Sequence, residues 1–257
     1  PLKGVAADLH CEALQLEGRW PAALRGRFYR NGPALFERGA QRYQHWFAGD
    51  GMVQQFNFAD GKVSHRGRFV RTDKFKREQA AGEFLVGAFG TALQSKVRIT
   101  GPDTMNVANT HVIEHGGKLL ALWEGGSAYA MDIATLDTQG PVTWQDGWGQ
   151  MPFSAHPKVD AQGHLWNIGG GVSNRGLAVY HVGPNGKLVG SRTVKLPLDA
   201  ERTGGMLHDM AVTARHIVVP IPPVVIRWES ILRGEISPDS MALTRDEPLR
   251  IWVAPKD

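Results

Sequence analysis

Met52-Val53-Gln54-Gln55-Phe56-Asn57-Phe58-Ala59-Asp60-Gly61-Lys62-Val63-Ser64-His65-Arg66-Gly67-Arg68-Phe69-Val70-Arg71 reads as two strands joined by a tight turn. Asp60-Gly61 supplies the positive φ that a two-residue hairpin needs. Upstream, Arg42 to Phe47 reads as a third strand, reached through Gly49-Asp50-Gly51. Together they form a β-meander with Val53, Phe56, Phe58, Val63, Phe69 and Val70 as candidate core residues. The same punctuation runs along the chain, where 31 glycines and 15 prolines separate short apolar runs. Gly26 to Pro33 is a strand entering a turn. Asn106 to Glu114 and Lys118 to Glu124 pair across Gly116-Gly117, and Ala128 to Asp132 continues them. Phe153 to Val159 pairs with His164 to Ile168, Leu177 to Val182 with Lys187 to Leu196, and Leu207 to Thr213 with His216 to Ile226; Arg250 to Ala254 is a last strand. Asp73 to Ala81 is the one helical stretch, ended by Gly82, and Phe84 to Leu93 carries no clear signal.

Repeated hairpins at this spacing argue for an all-β sandwich, barrel or propeller. The β-propeller is favoured because the units recur over the whole length without a helical half. No WD or kelch signature is present. At ~40–50 residues per blade a seven-bladed ring needs roughly 300–350 residues, so this chain supplies about five or six. An open ring leaves strand edges exposed; either the blade number differs or part of the chain is absent. Residues 1–257 are thus expected to form a single partial propeller domain, with 1–25 as an irregular leader.

Of 257 residues, 42% are hydrophobic and 21% charged, and the net charge is +4, 29 basic against 25 acidic. The basic stretch from Arg66 to Lys76 is broken by apolar residues, which suits a solvated strand face and not a nucleic-acid surface. Cys11 is the only cysteine, so no internal disulfide forms. No apolar run reaches 18 residues and no signal peptide is visible, which points to a cytoplasmic location. The chain starts at Pro1, as a processed or partial chain would.

No HExxH, CxxC, phosphate-binding glycine loop or GxSxG elbow occurs. What remains is histidine, ten in all. His115, His164 and His216 flank turns and are expected to be solvated. His156, in Pro152-Phe153-Ser154-Ala155-His156-Pro157-Lys158-Val159-Asp160, is held extended by the proline that follows it. His208, in Met206-Leu207-His208-Asp209-Met210, also opens a strand directly after a loop. In a propeller such strand starts converge on the central axis, where two imidazoles can share one metal: iron, copper, zinc or nickel. A ligand histidine usually gives its second N–H to a carboxylate or carbonyl. Glu124, ending the apolar run Leu119-Leu120-Ala121-Leu122-Trp123, is the best carboxylate for that part; a strand-end glutamate facing water is the alternative.

Six collinear blocks resemble the carotenoid cleavage oxygenase family. They are Leu24-Arg25-Gly26-Arg27-Phe28-Tyr29-Arg30-Asn31-Gly32-Pro33, His45-Trp46-Phe47-Ala48-Gly49-Asp50-Gly51-Met52-Val53, Asn106-Val107-Ala108-Asn109-Thr110, Leu120-Ala121-Leu122-Trp123-Glu124-Gly125-Gly126, Phe153-Ser154-Ala155-His156-Pro157-Lys158-Val159-Asp160 and Leu207-His208-Asp209. The resemblance implies a seven-bladed propeller with Fe(II) on its axis, held by four histidines backed by glutamates. It makes His156 and His208 the first two iron ligands and Glu124 a supporting carboxylate; it gives His111 and His45 no such part. The other two ligands lie further on in the family, whereas no histidine follows His216 here. The chain alone is therefore expected to be inactive.

The implied reaction is cleavage of a conjugated C=C bond by O2 into two carbonyl products. In stilbene-cleaving members a lysine precedes this glutamate; here Trp123 stands there, which favours a hydrophobic polyene, a carotenoid or apocarotenoid related to retinal. A stilbene cleaver or an isomerase on the same scaffold, and a non-catalytic propeller-like binding module, are the alternatives. Such substrates live in membranes, and Val218 to Ile226 is a candidate for peripheral membrane contact, against a buried strand followed by a proline-stiffened loop.

Overall fold

The structure is a computed structural model that describes residues 3–21, 23–88, 90–91, 93–170, 176–196, 207–227, 241–244 and 246–256. Its first sheet is built from β1 (Leu9–Cys11), β2 (Gly26–Leu35), β5 (Asp50–Ala59) and β6 (Lys62–Phe69), in the order β1-β6-β5-β2. The short pair β3 (Glu37–Arg38) and β4 (Gln41–Arg42) lies between β2 and β5. As expected, β5 and β6 close through Asp60 and Gly61, both at positive φ. The second sheet runs β10-β9-β8-β7, from β7 (His111–His115), β8 (Lys118–Leu122), β9 (Tyr129–Met131) and β10 (Thr138–Pro141). The third runs β11-β12-β13-β14, from β11 (Lys158–Val159), β12 (Leu165–Gly170), β13 (Gly176–Val182) and β14 (Leu188–Lys195). The fourth joins β15 (Ala211–Val212), β16 (His216–Ile221) and β19 (Arg250–Pro255), while β17 (Val224–Ile226) pairs with β18 (Met241–Leu243) beside it.

Period-two side-chain alternation makes each inner sheet apolar on both faces, and that stacks the sheets. Leu119, Ala121, Tyr129 and Met131 pack toward Val53 and Tyr29 of the first sheet. Leu120, Leu122, Ala128 and Ala130, one residue out of phase, pack toward Leu165, Ala178, Tyr180 and Val182 of the third. The opposite face of that third sheet, Trp166, Ile168, Leu177 and Val179, meets Ile217, Val219, Ile221 and Trp252 of the fourth. Each sheet is thus one layer of a propeller, and the second and third are buried between their neighbours.

Several expectations need correction. The described residues form three four-stranded sheets, one three-stranded sheet and two two-stranded pairs, not five or six full blades. Chain is consumed between sheets, notably by α1 (Asp73–Ala81) and by the described residues between it and β7, which form no strand. Arg42 to Phe47 is not a strand: Trp46–Ala48 is a 3-10 turn, closed by Phe47 N–H donating to His45 Nδ1. Phe56, Phe58 and Val63 are only half-buried, because their face of the first sheet is covered by α1 and the N-terminal segment at one end alone. There Met52 and Phe69 pack on Phe75. His115 is buried and bonded to the Gly183 carbonyl at 2.8 Å, not solvated. His164 is half-buried and paired. Met206, ahead of His208, lies outside the described residues.

Candidate metal centre

His156 is placed by a lead-in that lies flat against β12. Ser154 N–H donates to the Ile168 carbonyl at 2.8 Å, the Asn167 amide donates to the Ser154 carbonyl at 2.8 Å, and the Tyr180 hydroxyl donates to the Pro152 carbonyl at 2.8 Å. Phe153 is fully buried and stacks on Trp144 at 4.8 Å. The lead-in comes this close because residue 169 is glycine: a Cβ there would stand 1.8 Å from the Pro152 oxygen. His208 sits in the loop before β15. Asp209, its neighbour, takes an ion pair at 2.7 Å from Lys158, two residues past His156. That pair ties the two histidine-bearing segments together across the seam between sheets.

Glu124 leaves the end of β8 at the same level. Its Oε1 lies 2.9 Å from His208 Nδ1 and 3.7 Å from His156 Nε2, and Ser154 Oγ donates to its Oε2 at 3.4 Å. The two imidazoles stand edge to face, with centroids 4.6 Å apart. One donor atom each from Glu124, His156 and His208 falls within 4.8 Å of the others. The three residues singled out in the sequence are therefore brought together. His45 is not among them, and His111 lies beside them without joining the donor set.

Burial pushes the Glu124 carboxyl up to about 7, against the pull of the His208 charge and the Ala155 backbone N–H. Burial, followed by the His208 charge, holds His156 below the usual histidine range, so it is neutral near pH 7. Glu124 Oε1 is buried, and the close approach of His208 Nδ1 at 2.9 Å is its nearest polar contact. A buried carboxylate oxygen facing two imidazoles is a donor set suited to a borderline divalent cation, and iron fits it.

His111 is the neighbour that sequence reasoning set aside. It opens β7, and its ring stacks on His156 with centroids 6.0 Å apart. The available signal was positional: His111, His156 and His208 all stand at or just before the first strand of three successive sheets. Trp123 is half-buried, and its ring lies over Gly125 and Gly126.

The sequence pattern of the family described as retinal pigment epithelial membrane protein matches residues 4–257. Lignostilbene-alpha,beta-dioxygenase isozyme III of Sphingomonas paucimobilis is 32% identical over 241 residues, covering 91% of this chain and 48% of the relative. Carotenoid cleavage oxygenase 1 of Neurospora crassa is 34% identical over 247 residues, 95% of this chain and 45% of the relative. Among solved structures, Pseudomonas brassicacearum lignostilbene dioxygenase superposes with a TM-score of 0.84 at 32% identity, over 99% of this chain and 52% of the other. Cobalt-substituted apocarotenoid oxygenase (ACO) of Synechocystis superposes with a TM-score of 0.83 at 29% identity, over 99% and 55%. The chain spans about half the length of the relatives it matches. Stacked sheets, a histidine pair at successive sheet starts and a pattern match over nearly the whole length agree: this chain belongs to the carotenoid cleavage oxygenase family.

Proposed function

We propose that this chain, one partial propeller domain, supplies half of the iron site of a non-haem Fe(II) dioxygenase. The enzyme cleaves a conjugated C=C bond of a carotenoid or apocarotenoid with O2. The observation that carries the reading is the convergence of Glu124, His156 and His208 within 4.8 Å. His156 and His208 would hold the metal through neutral imidazoles. Glu124, against His208 Nδ1, would fix that ring's tautomer and orientation and offset the charge of a site whose other ligands are neutral. Fe(II), when bound, supplies the redox chemistry with O2. The C=C bond breaks, two C=O bonds form, and both oxygen atoms of O2 enter the products, so no outside reductant is consumed. Trp123 would wall the site with an apolar surface that excludes water and positions a polyene.

Two histidines and one carboxylate make a partial ligand set, so this chain by itself is expected to bind iron weakly and to turn over nothing. Cleavage of a stilbene is the second reading, favoured by the lignostilbene dioxygenases among the relatives. The test is the full-length protein, assayed for bound iron and for aldehyde products from an apocarotenoid and a phenolic stilbene. About one iron with apocarotenoid cleavage supports the proposal; turnover of the stilbene alone selects the second reading, and absence of both iron and turnover leaves a binding module.

A cytoplasmic enzyme that touches the membrane peripherally through residues 218–226 completes the proposal. In this segment Val219 and Ile221 are buried while Val218 and Pro220 are half-exposed. Among the described residues, no helix is long and apolar enough to cross a membrane. Liposome flotation unchanged by Val224→Asp would remove that role.

A further inference from the structure

At the opposite end of the third sheet from His156, a second histidine pair meets. Pro157 and the two residues of β11 separate His156 from Asp160, ~13 Å of extended chain. Beyond the turn, His164 Nδ1 lies 2.8 Å from Nε2 of His181, on the neighbouring strand β13. The ring centroids are 4.8 Å apart, close to the 4.6 Å of His156 and His208. Neither ring is left to wander. The Asp160 carboxylate accepts from the His164 backbone N–H at 3.0 Å and from Trp166 Nε1 at 2.9 Å. His181 stacks face to face on that Trp166 ring, with centroids 3.9 Å apart. Lys256, over Trp166 at 4.6 Å, spends its charge in an ion pair with Asp160 at 2.8 Å, so the nearby cation is offset.

From this geometry we propose that His164 and His181 form a second transition-metal site, distinct from the one at Glu124, His156 and His208. Two nitrogens 2.8 Å apart, each about 2.0–2.1 Å from a shared ion, subtend about 90° at it. That is the cis angle of a tetragonal or octahedral centre; a tetrahedral one needs a wider bite. The site therefore selects Cu(II) or Ni(II) over Zn(II), with water in the remaining positions. In the metal-free state the same two nitrogens share one proton as an N–H···N hydrogen bond. Asp160 holds the His164 backbone and the Trp166 indole in place, and Trp166 holds the His181 ring by the stack.

The experiment is a Cu2+ titration read by electron paramagnetic resonance, performed on the protein carrying His156→Ala and His208→Ala so that the first site is silent. The expected result is one Cu2+ per chain with superhyperfine structure from two equatorial nitrogens. Adding His164→Asn, or His181→Phe, which keeps the stack on Trp166, is expected to weaken binding by at least the 10–100-fold lost when mere orienting partners are removed. Circular dichroism checks that each variant is folded, and Zn2+ is expected to compete poorly. A silent background protein, or a two-nitrogen signal that survives both added substitutions, overturns the site. Neither outcome touches the Fe(II) reading, which is tested with the first site intact.

Discussion

Glu124 stands between two demands. Burial favours its neutral form, while the imidazole beside it and the backbone of Ala155 favour the carboxylate. A divalent ion at His156 and His208 would settle that conflict in favour of the charge. Glu124→Gln in the full-length protein keeps the volume and removes the charge, and iron affinity is expected to fall about 10–100-fold with the fold unchanged. Iron content after dialysis against a chelator checks this, and wild-type occupancy would refute the supporting role. Asp160 shows the opposite balance. Burial opposes its charge, but hydrogen bonds from Lys256, Trp166 and the His164 and Gln162 backbone win, and the carboxyl is held well below the usual range. A depressed carboxyl contributes stability that is fully present above its unfolded value of about 3.9 and is lost as pH falls through the folded one. Asp160→Asn is therefore expected to be less stable than wild type at pH 7, with the gap closing as pH drops below about 4. Urea midpoints at pH 7, 4 and 3 measure it; a gap constant across that range would show that the ion pair and its hydrogen bonds carry no linkage.

Among the elements, α1 shows how a helix is fastened to a sheet by charge. Thr72 Oγ1 accepts from Phe75 N–H at 3.1 Å and caps the N-terminus, and Gly82 ends the helix at φ +69°, as read from the sequence. Its inner face carries buried Lys74 and Glu78, 2.7 Å apart, with Lys74 also 3.0 Å from Asp50 and Arg38 3.1 Å from that aspartate. Two cations and two anions balance, and burial pushes the Glu78 carboxyl up despite Lys74. Lys74→Met leaves one cation for two buried carboxylates and is expected to cost about 3–5 kcal/mol. A denaturation midpoint within experimental scatter of wild type would contradict that. At Gly169 the expected cost of alanine is about 1–3 kcal/mol of overpacking, together with weaker metal binding because the displaced segment carries His156. Stability loss without any change in metal affinity would show the lead-in to be less rigid than its hydrogen bonds imply. These elements also mark how far the sequence could be read. Asp60-Gly61, Gly116-Gly117 and the Gly82 helix stop are local devices and were legible. Phe153 to His156 reads as strand but its hydrogen bonds go to loops and to β12 as a lead-in, and β10 and β18 exist only because a neighbouring strand pairs with them. The candidate site followed the same rule: the grouping of His156, His208 and Glu124 was legible through motifs, while the pairing of His164 with His181 depends on strand register that no single stretch encodes.

At the scale of the whole molecule, the stack has two outer faces, and both are apolar. On the first sheet Phe28 is 55% exposed beside half-buried Phe56. On the fourth, Ile251 and Val253 are each 55% exposed and lie across from Pro220 and Val218. The inner seams show what such faces do when covered, since Ile217, Val219 and Ile221 on the other side of the fourth sheet are buried against Trp166 and Ile168. An uncovered sheet face of this kind is an association surface. The 257-residue chain, expressed as given, is accordingly expected to bind a hydrophobic dye and to elute as concentration-dependent oligomers. Val253→Lys together with Ile251→Lys is expected to shift it toward monomer without altering the seam between the third and fourth sheets, because Trp252 and Ala254 alternate to the other side. Light scattering over a tenfold concentration range decides the matter. A monodisperse monomer that binds no dye would mean that these faces are covered by the chain itself, and the open stack of sheets would then be the wrong description of the molecule in solution.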